Sequence, residues 1–391
     1  MKILHIVPTY VPAYRYGGPI KSVHYLNKWL VKKGIDVTVY TTNLNGDKLL
    51  NVPLNRETLI NGVKVHYFPI TWKSWEYSFA LHQALAKNIK DFDLIHITSV
   101  FLSVSTLGAF YARKFHKPYI ISPRGSLMKE PLGMKSNIKK KIYISLFEKR
   151  NLRNANVIHF TAESEKEEYI KAGFPLKKSM VISNGLDPDE LAITKNKINF
   201  REKYGIGLDK KIVLSLGRIN WKKGFDTLIP VFAGILKKEP NAVLVIVGED
   251  DGYKKTVQSL IVNYQLQGKV IFTGILVDEE KIAVYKESNV FVLLSYSENF
   301  GMAVVEAMYF GLPIVMTKAV GIASDIIRCG AGIVINKNER SCIDAILKLL
   351  NNSIIAKKNS EQGKKLVANQ FMMPKIVEKF IDTYKNLLIG N

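Results

Sequence analysis

Sulphur is scarce in this sequence. Its 391 residues hold two cysteines, Cys329 and Cys342, thirteen positions apart and with no CxxC pair. That spacing excludes a disulfide framework and a thiolate zinc site, and it fits a reducing compartment. Acid is scarce too: 34 Asp and Glu stand against 56 Lys and Arg, a net charge of +22. Long apolar runs are missing. The stretch from Leu94 to Ala112 carries no formal charge, but it holds His96, Thr98, Ser99, Ser103, Ser105 and Thr106, a poor membrane span. It reads instead as a strand, LIHIT, and a buried helix. The opening MKILHIVPTY is stopped by Pro8, too short an apolar run for a secretory leader. No GxGxxG follows the first strand, which argues against a dinucleotide-dependent dehydrogenase. No DxD stands at a strand end, so no metal and no cofactor is expected. No recognisable RNA or DNA module is present, so nucleic acid has only net charge in its favour.

What is present is a long alternation of strand and helix. KILHIV, DVTVYT, VKVHYF, LIHIT, PYIIS, NVIHF and MVIS are short β-rich runs, several separated by helical stretches. Apolar runs without clean alternation belong to strands buried on both faces, the mark of a parallel sheet built from βαβ units. A polar junction around NGLDPDEL interrupts the pattern, which restarts with KIVLSLG, AVLVIVG, KVIFTG, NVFVLLS, LPIVMT and GIVIN. The fold class is therefore α/β. Two Rossmann-like, doubly wound parallel-sheet domains are expected over 1–190 and 191–373, facing a cleft. A last helix over 374–391 is expected to return to the first domain. Open α/β sheets bind ligands beyond the carboxyl ends of their strands.

Those strand ends carry the chemistry. After the first strand, Gly17 and Gly18 precede a helix, with Pro19 in its first turn; glycines there let backbone N–H groups approach an anion. After KIVLSLG, Arg218 and Lys223 offer a planar fork and a point charge, a pair suited to a diphosphate. In SENFGMAVVEAMYFGLPIV, Glu298 lies in a loop after a strand. Asn299, Phe300 and Gly301 present backbone N–H groups at the next helix N-terminus. Glu306 lies about two turns inside that helix, where a carboxylate needs hydrogen-bond donors; a vicinal diol such as a ribose supplies two.

That last segment resembles the E-x7-E signature of the retaining, nucleotide-sugar-dependent glycosyltransferase family 4, with the GT-B fold. The resemblance spans nearly the whole chain: the early glycine pair, NGLD at Asn184, the Gly-Arg…Lys-Gly segment and VGED at Gly248 come in family order. It implies an EC 2.4-type hexosyltransferase. Glu298 would contact donor-sugar hydroxyls, Asn299, Phe300 and Gly301 the sugar and diphosphate, and Glu306 the ribose. Arg218 and Lys223 would neutralise the leaving diphosphate, with Gly18 opposite and the base near Gly248. The donor would be a UDP- or GDP-sugar, acting as co-substrate.

Many relatives carry His-Gly after the strand that here reads PYIISPRGSLM, where this chain has Arg124-Gly125. The PRG form resembles a subgroup that builds bacterial surface polysaccharides such as capsule and lipopolysaccharide. Arg124 is a candidate for an acceptor or donor phosphate, not a general base. From Arg113 to Arg153 twelve basic residues face two acidic ones. Met134 to Asn154 mixes lysines with Ile138, Ile142, Ile144, Leu146 and Phe147, as a basic amphipathic helix on an anionic membrane would. The expected acceptor is a glycan or a lipid-linked sugar, and the expected location is the cytoplasm or the inner face of the cell membrane. A GT-B-fold sugar-nucleotide epimerase and a non-catalytic nucleotide-sugar-binding protein are the competing readings.

Overall fold

The structure, a computed structural model, describes residues 1–129, 143–192 and 198–389. The chain forms two compact units, Met1–Gly185 with Met373–Asn391, and Leu186–Met372.

In the first unit the strands are β1 (Lys2–Ile6), β2 (Asp36–Thr42), β5 (Glu57–Ile60), β6 (Val63–Phe68), β7 (Leu94–Thr98), β8 (Tyr119–Ser122), β9 (Val157–Phe160) and β10 (Ser179–Val181). A small hairpin pairs β3 (Leu44–Asn45) with β4 (Lys48–Leu49). The large sheet runs β10-β9-β8-β7-β1-β2-β6-β5. All its pairs are parallel except β5 with β6, an antiparallel edge that the sequence pattern does not announce. The strand order reverses between β1 and β7. The helix Met373–Ile389 packs against the helix Gly18–Lys32 through Ile376, Val377, Phe380 and Ile381, all buried.

The centre of this sheet is polar. His5 and His96 are register partners on β1 and β7, their rings stacked 4.3 Å apart. His5 meets Asn27 Oδ1 and Thr98 Oγ1, each at 2.8 Å. His96 meets Tyr384 Oη and Ser122 Oγ, each at 2.7 Å, and Ser122 passes the chain to His159 at 2.7 Å. Every ring nitrogen is matched, as burial requires. Burial holds all three imidazoles neutral: His5 is lowered to about 4, His159 to about 3, and His96 well below its ordinary value.

In the second unit the strands are β11 (Lys211–Leu216), β12 (Ala242–Val247), β13 (Val270–Gly274), β14 (Val290–Leu293), β15 (Ile314–Thr317) and β16 (Ile333–Ile335). Their order, β13-β12-β11-β14-β15-β16, is all parallel. Counted within the unit this is 3-2-1-4-5-6, the doubly wound dinucleotide-fold order, whose ligand crevice opens where the order reverses. Here that is the carboxyl end of β11 beside β14.

Candidate functional site

Two loops leave the sheet at that reversal. The first follows β11: Gly217, Arg218, Ile219, Asn220, a single 3-10 turn at Trp221–Lys223, then the helix Phe225–Leu236. Gly224 caps this helix with φ +71°, and a Cβ there would stand 2.0 Å from Leu294 O, just past β14. Only glycine permits so close an approach of the two loops. The second loop carries Tyr296, Ser297 and Glu298. Glu298 N–H donates to Ala319 O at 3.0 Å, and Gly321 N–H donates to Glu298 O at 2.9 Å. A Cβ at Gly321 would meet Asn299 O at 2.0 Å, so a glycine again sets the approach.

The consequence is an ion pair. Lys223 Nζ meets Glu298 Oε2 in a half-sheltered position, from loops 75 residues apart in sequence. Arg218 stands further out and pairs with Asp251 Oδ2 at 3.0 Å, as does Asn220 Nδ2. Asp251 lies in the loop after β12, which is zipped to the first loop: Ile219 N–H donates to Glu249 O at 2.8 Å and Asp251 N–H to Ile219 O at 3.0 Å. Gly248 has a packing duty there, because a Cβ would stand 2.0 Å from Gly217 O.

Gly301 takes φ +100° and begins the helix Met302–Tyr309, where a Cβ would press on Val320. Phe300 is buried, edge-on to Phe371 at 5.7 Å, so its ring anchors the loop and leaves only backbone to face a ligand. Glu306 lies four residues after Met302, little more than one turn into the helix rather than two. The expected shortage of donors does not arise. Lys281 Nζ donates to Oε1 at 2.7 Å and Tyr285 Oη to Oε2 at 2.8 Å. The protein itself therefore orients this carboxylate.

Gly17, Gly18 and Arg124 belong to the first unit. Gly17 has φ +77° and caps the helix that follows β1, beside the reversal of that sheet. A Cβ on Gly18 would meet no protein atom within 4 Å, so the space over its backbone is open. Arg124 follows β8 in a left-handed conformation, φ +54°. Its Nη1 donates to Asn184 Oδ1 at 2.5 Å, while its Nε is buried without a hydrogen-bond partner. Burial lowers the guanidinium to about 10, so it stays charged at neutral pH.

Both halves of the chain match family models. Residues 16–190 match "Glycosyltransferase Family 4" and residues 196–366 match "Glycosyl transferases group 1". The chain is a family 4 glycosyltransferase. It is 27% identical to an uncharacterized glycosyltransferase of Methanocaldococcus jannaschii, over 98% of both chains. It is 25% identical to the alpha-monoglucosyldiacylglycerol synthase of Streptococcus pneumoniae, over 81% of this chain and 70% of that one. Among solved structures, Anabaena HepE in complex with UDP and glucose superposes with a TM-score of 0.78 at 18% identity, over 99% and 100% of the two chains. That likeness is one of GT-B fold.

The candidate site has further members that carry no motif in the sequence. Lys281 and Tyr285 lie on the helix Asp278–Glu287 and reach Glu306 only through the fold. Tyr296 Oη donates to Asp226 Oδ2 at 2.5 Å, and Lys337, just past β16, sets its buried Nζ over the Tyr296 ring. Burial lowers the Lys337 ammonium, with Asp226 opposing the shift. Tyr296 stands one residue before SENFG and was legible as a chain neighbour of Glu298. Lys337 had no motif to mark it. The basic segment from Met134 to Asn154 is described only from residue 143; residues 134–142 lie outside the described residues. Among the described residues no helix is long and apolar enough to cross a membrane.

Proposed function

We propose that this glycosyltransferase moves a hexose-type sugar, with retention, from a UDP- or GDP-sugar to a glycan or lipid-linked acceptor in cell-surface polysaccharide synthesis. The observation that carries the donor reading is the meeting of Lys223 and Glu298 at the β11–β14 reversal, with Arg218 on the same loop. In this reading the diphosphate takes Lys223 and Arg218 as counter-charges. Glu298, released from sole pairing with Lys223, accepts from sugar hydroxyls. Backbone N–H groups of Asn299, Phe300 and Gly301 face the sugar and diphosphate. Glu306 holds the ribose diol. In the first unit Gly17 caps the helix after β1 and Gly18 leaves its backbone open to an anionic group such as a diphosphate. Gly248 shapes the floor near the base.

The reaction then balances simply. The bond from the anomeric carbon to the β-phosphate oxygen breaks, and its electron pair stays on that oxygen. The acceptor hydroxyl oxygen bonds the anomeric carbon on the same face, and its proton passes to the departing diphosphate. Fixed cations stabilise the growing negative charge in the transition state. The step needs no metal and no covalent carboxylate. Arg124, charged and with an unpartnered Nε, suits an acceptor phosphate. A lipid-linked acceptor agrees with a relative named for making a glucosyl lipid, and the PRG segment resembles surface-polysaccharide enzymes. An anionic membrane surface on the cytoplasmic side is the partner such an acceptor implies.

The test is release of UDP or GDP from a panel of nucleotide sugars, with and without membrane lipid extract. Release from one donor, raised by the extract and lost in Glu298→Ala and Lys223→Ala, is the expected result. Release that ignores acceptor and yields free sugar would favour the epimerase reading. Absence of donor binding in the wild-type protein would overturn the donor site.

A further inference from the structure

The first unit exposes large apolar side chains that a solvated surface does not need. A tight turn after β6 is closed by reciprocal backbone bonds between Trp72 and Tyr77, and by Thr71 N–H to Tyr77 O at 2.8 Å. At its tip Trp72 and Trp75 are 63% and 65% exposed. The turn is fixed: Ser103 Oγ donates to Glu76 O at 2.9 Å, and Lys73 Nζ donates to Asp47 O at 2.7 Å.

Ser103 opens the helix Ser103–Lys114. Phe110 and Lys114 follow on the same stripe, because seven and eleven residues are near-whole numbers of turns. Both are exposed. Thr106, on the edge of that stripe, hydrogen-bonds Tyr143 Oη at 2.5 Å, and Tyr143 packs on Phe147 at 5.1 Å. Leu146, 61% exposed, and Phe147 thus lie beside the same helix as the Trp turn. Three separate elements bring exposed apolar side chains to the neighbourhood of one helix.

Charge defines its partner. Lys73, Lys114, Lys149, Arg150 and Arg153 are exposed on these same elements. The two acids of the segments are withdrawn. Glu148 is buried with Oε1 accepting from Phe101 N–H at 2.9 Å, and burial raises it to about 7; burial raises Glu76 too. Exposed Trp and Phe with surrounding cations, and no exposed acid among the described residues of 71–77, 103–114 and 143–154, fit the headgroup layer of an anionic bilayer, where indole rings settle and basic side chains meet lipid phosphates. Exposed Asp47 stands beside Lys73 at the turn.

We propose that the Trp72–Trp75 turn, Phe110 and the Leu146–Phe147 segment form a docking face that seats the first unit on an anionic membrane. The proposal rests on the lipid-linked acceptor reading only for its purpose. The binding itself needs no donor and is measured without one. Its occupant is the lipid surface, not a glycan and not a second copy.

The experiment is co-sedimentation of the full chain with vesicles of phosphatidylcholine alone or mixed with phosphatidylglycerol, at two salt concentrations. Binding to the mixed vesicles only, weakened by salt, is expected. Trp72→Ser with Trp75→Ser should lower partition by about tenfold or more. Lys149→Glu with Arg150→Glu should also lower it, and Leu208→Ser, an exposed apolar change in the other unit, should not. Circular dichroism and donor binding of each variant establish that it is folded. Equal binding to neutral vesicles, or full binding by the double Trp variant, overturns the proposal. So does a wild-type dimer that the Trp changes dissociate, or retention of the protein by polysaccharide but not by vesicles. Loss of donor turnover with intact vesicle binding would instead count against the donor reading alone.

Discussion

Glu306 shows how a single carboxylate is prepared for a ligand. Both its oxygens are held within the second unit, by Lys281 and by the fully buried Tyr285, whose ring stacks on Phe310 at 5.4 Å. A carboxylate with two fixed donors keeps its rotamer, and its remaining lone pairs stay available to a diol. Tyr285→Phe removes one donor without changing the ring. If Glu306 holds the ribose, the donor KM should rise several-fold with a smaller change in kcat, the pattern of lost uniform binding. Stability should fall by about 1–3 kcal/mol from the unmatched carboxylate oxygen. Steady-state kinetics and urea unfolding of the variant check both. A change in kcat alone would place Glu306 elsewhere in the reaction.

At the scale of elements, the loops depend on glycines that bring strand ends together. Gly248→Ala puts a methyl 2.0 Å from a backbone oxygen that cannot rotate away. Overpacking of this kind costs about 1–3 kcal/mol, so the variant should melt a few degrees lower. It should also weaken donor binding, because the loops after β11 and β12 are zipped together. Scanning calorimetry and nucleotide titration read the two effects. The sequence made the strands and helices of both units legible, since doubly buried strands carry continuous apolar runs. The antiparallel edge strand β5, ETLI, was not legible: it is polar, half-exposed and short. The Lys223 to Glu298 approach was legible as a shared strand-end position. The Lys281–Tyr285–Glu306 cluster was not, because pairing between helices leaves no spacing in one chain. The exposed Trp turn was missed for a related reason. An apolar residue in sequence carries no sign of whether the fold covers it.

At the scale of the molecule, the buried histidines set an acid limit. Their folded pKa values lie below the ordinary 6.5, so below that pH the unfolded chain binds protons that the fold refuses. Stability is fully present above about 6.5 and falls as pH drops toward about 4, by up to about 1.4 kcal/mol per histidine per pH unit. Arg124, close by, adds to the refusal. Glu148 acts in the opposite sense: raised to about 7, its contribution is present below the ordinary carboxylate range and is lost as pH rises through 7. Urea midpoints taken from pH 7 to pH 5 should decline steadily, with the first unit unfolding first. A flat profile would mean the folded and unfolded chains take up equal numbers of protons, contrary to histidines held neutral by burial.

Tyr384, which hydrogen-bonds His96, sits in a helix that the ribosome makes only after all of Leu186–Met372. The sheet that is translated first therefore waits for its closing helix while 187 further residues are added, roughly 10–40 s at ordinary synthesis rates. The second unit has all its strands in hand before that helix exists. During translation the half that is born first is the half that is finished last, and its polar centre stays open to solvent, chaperones and proteases until the chain returns to close it.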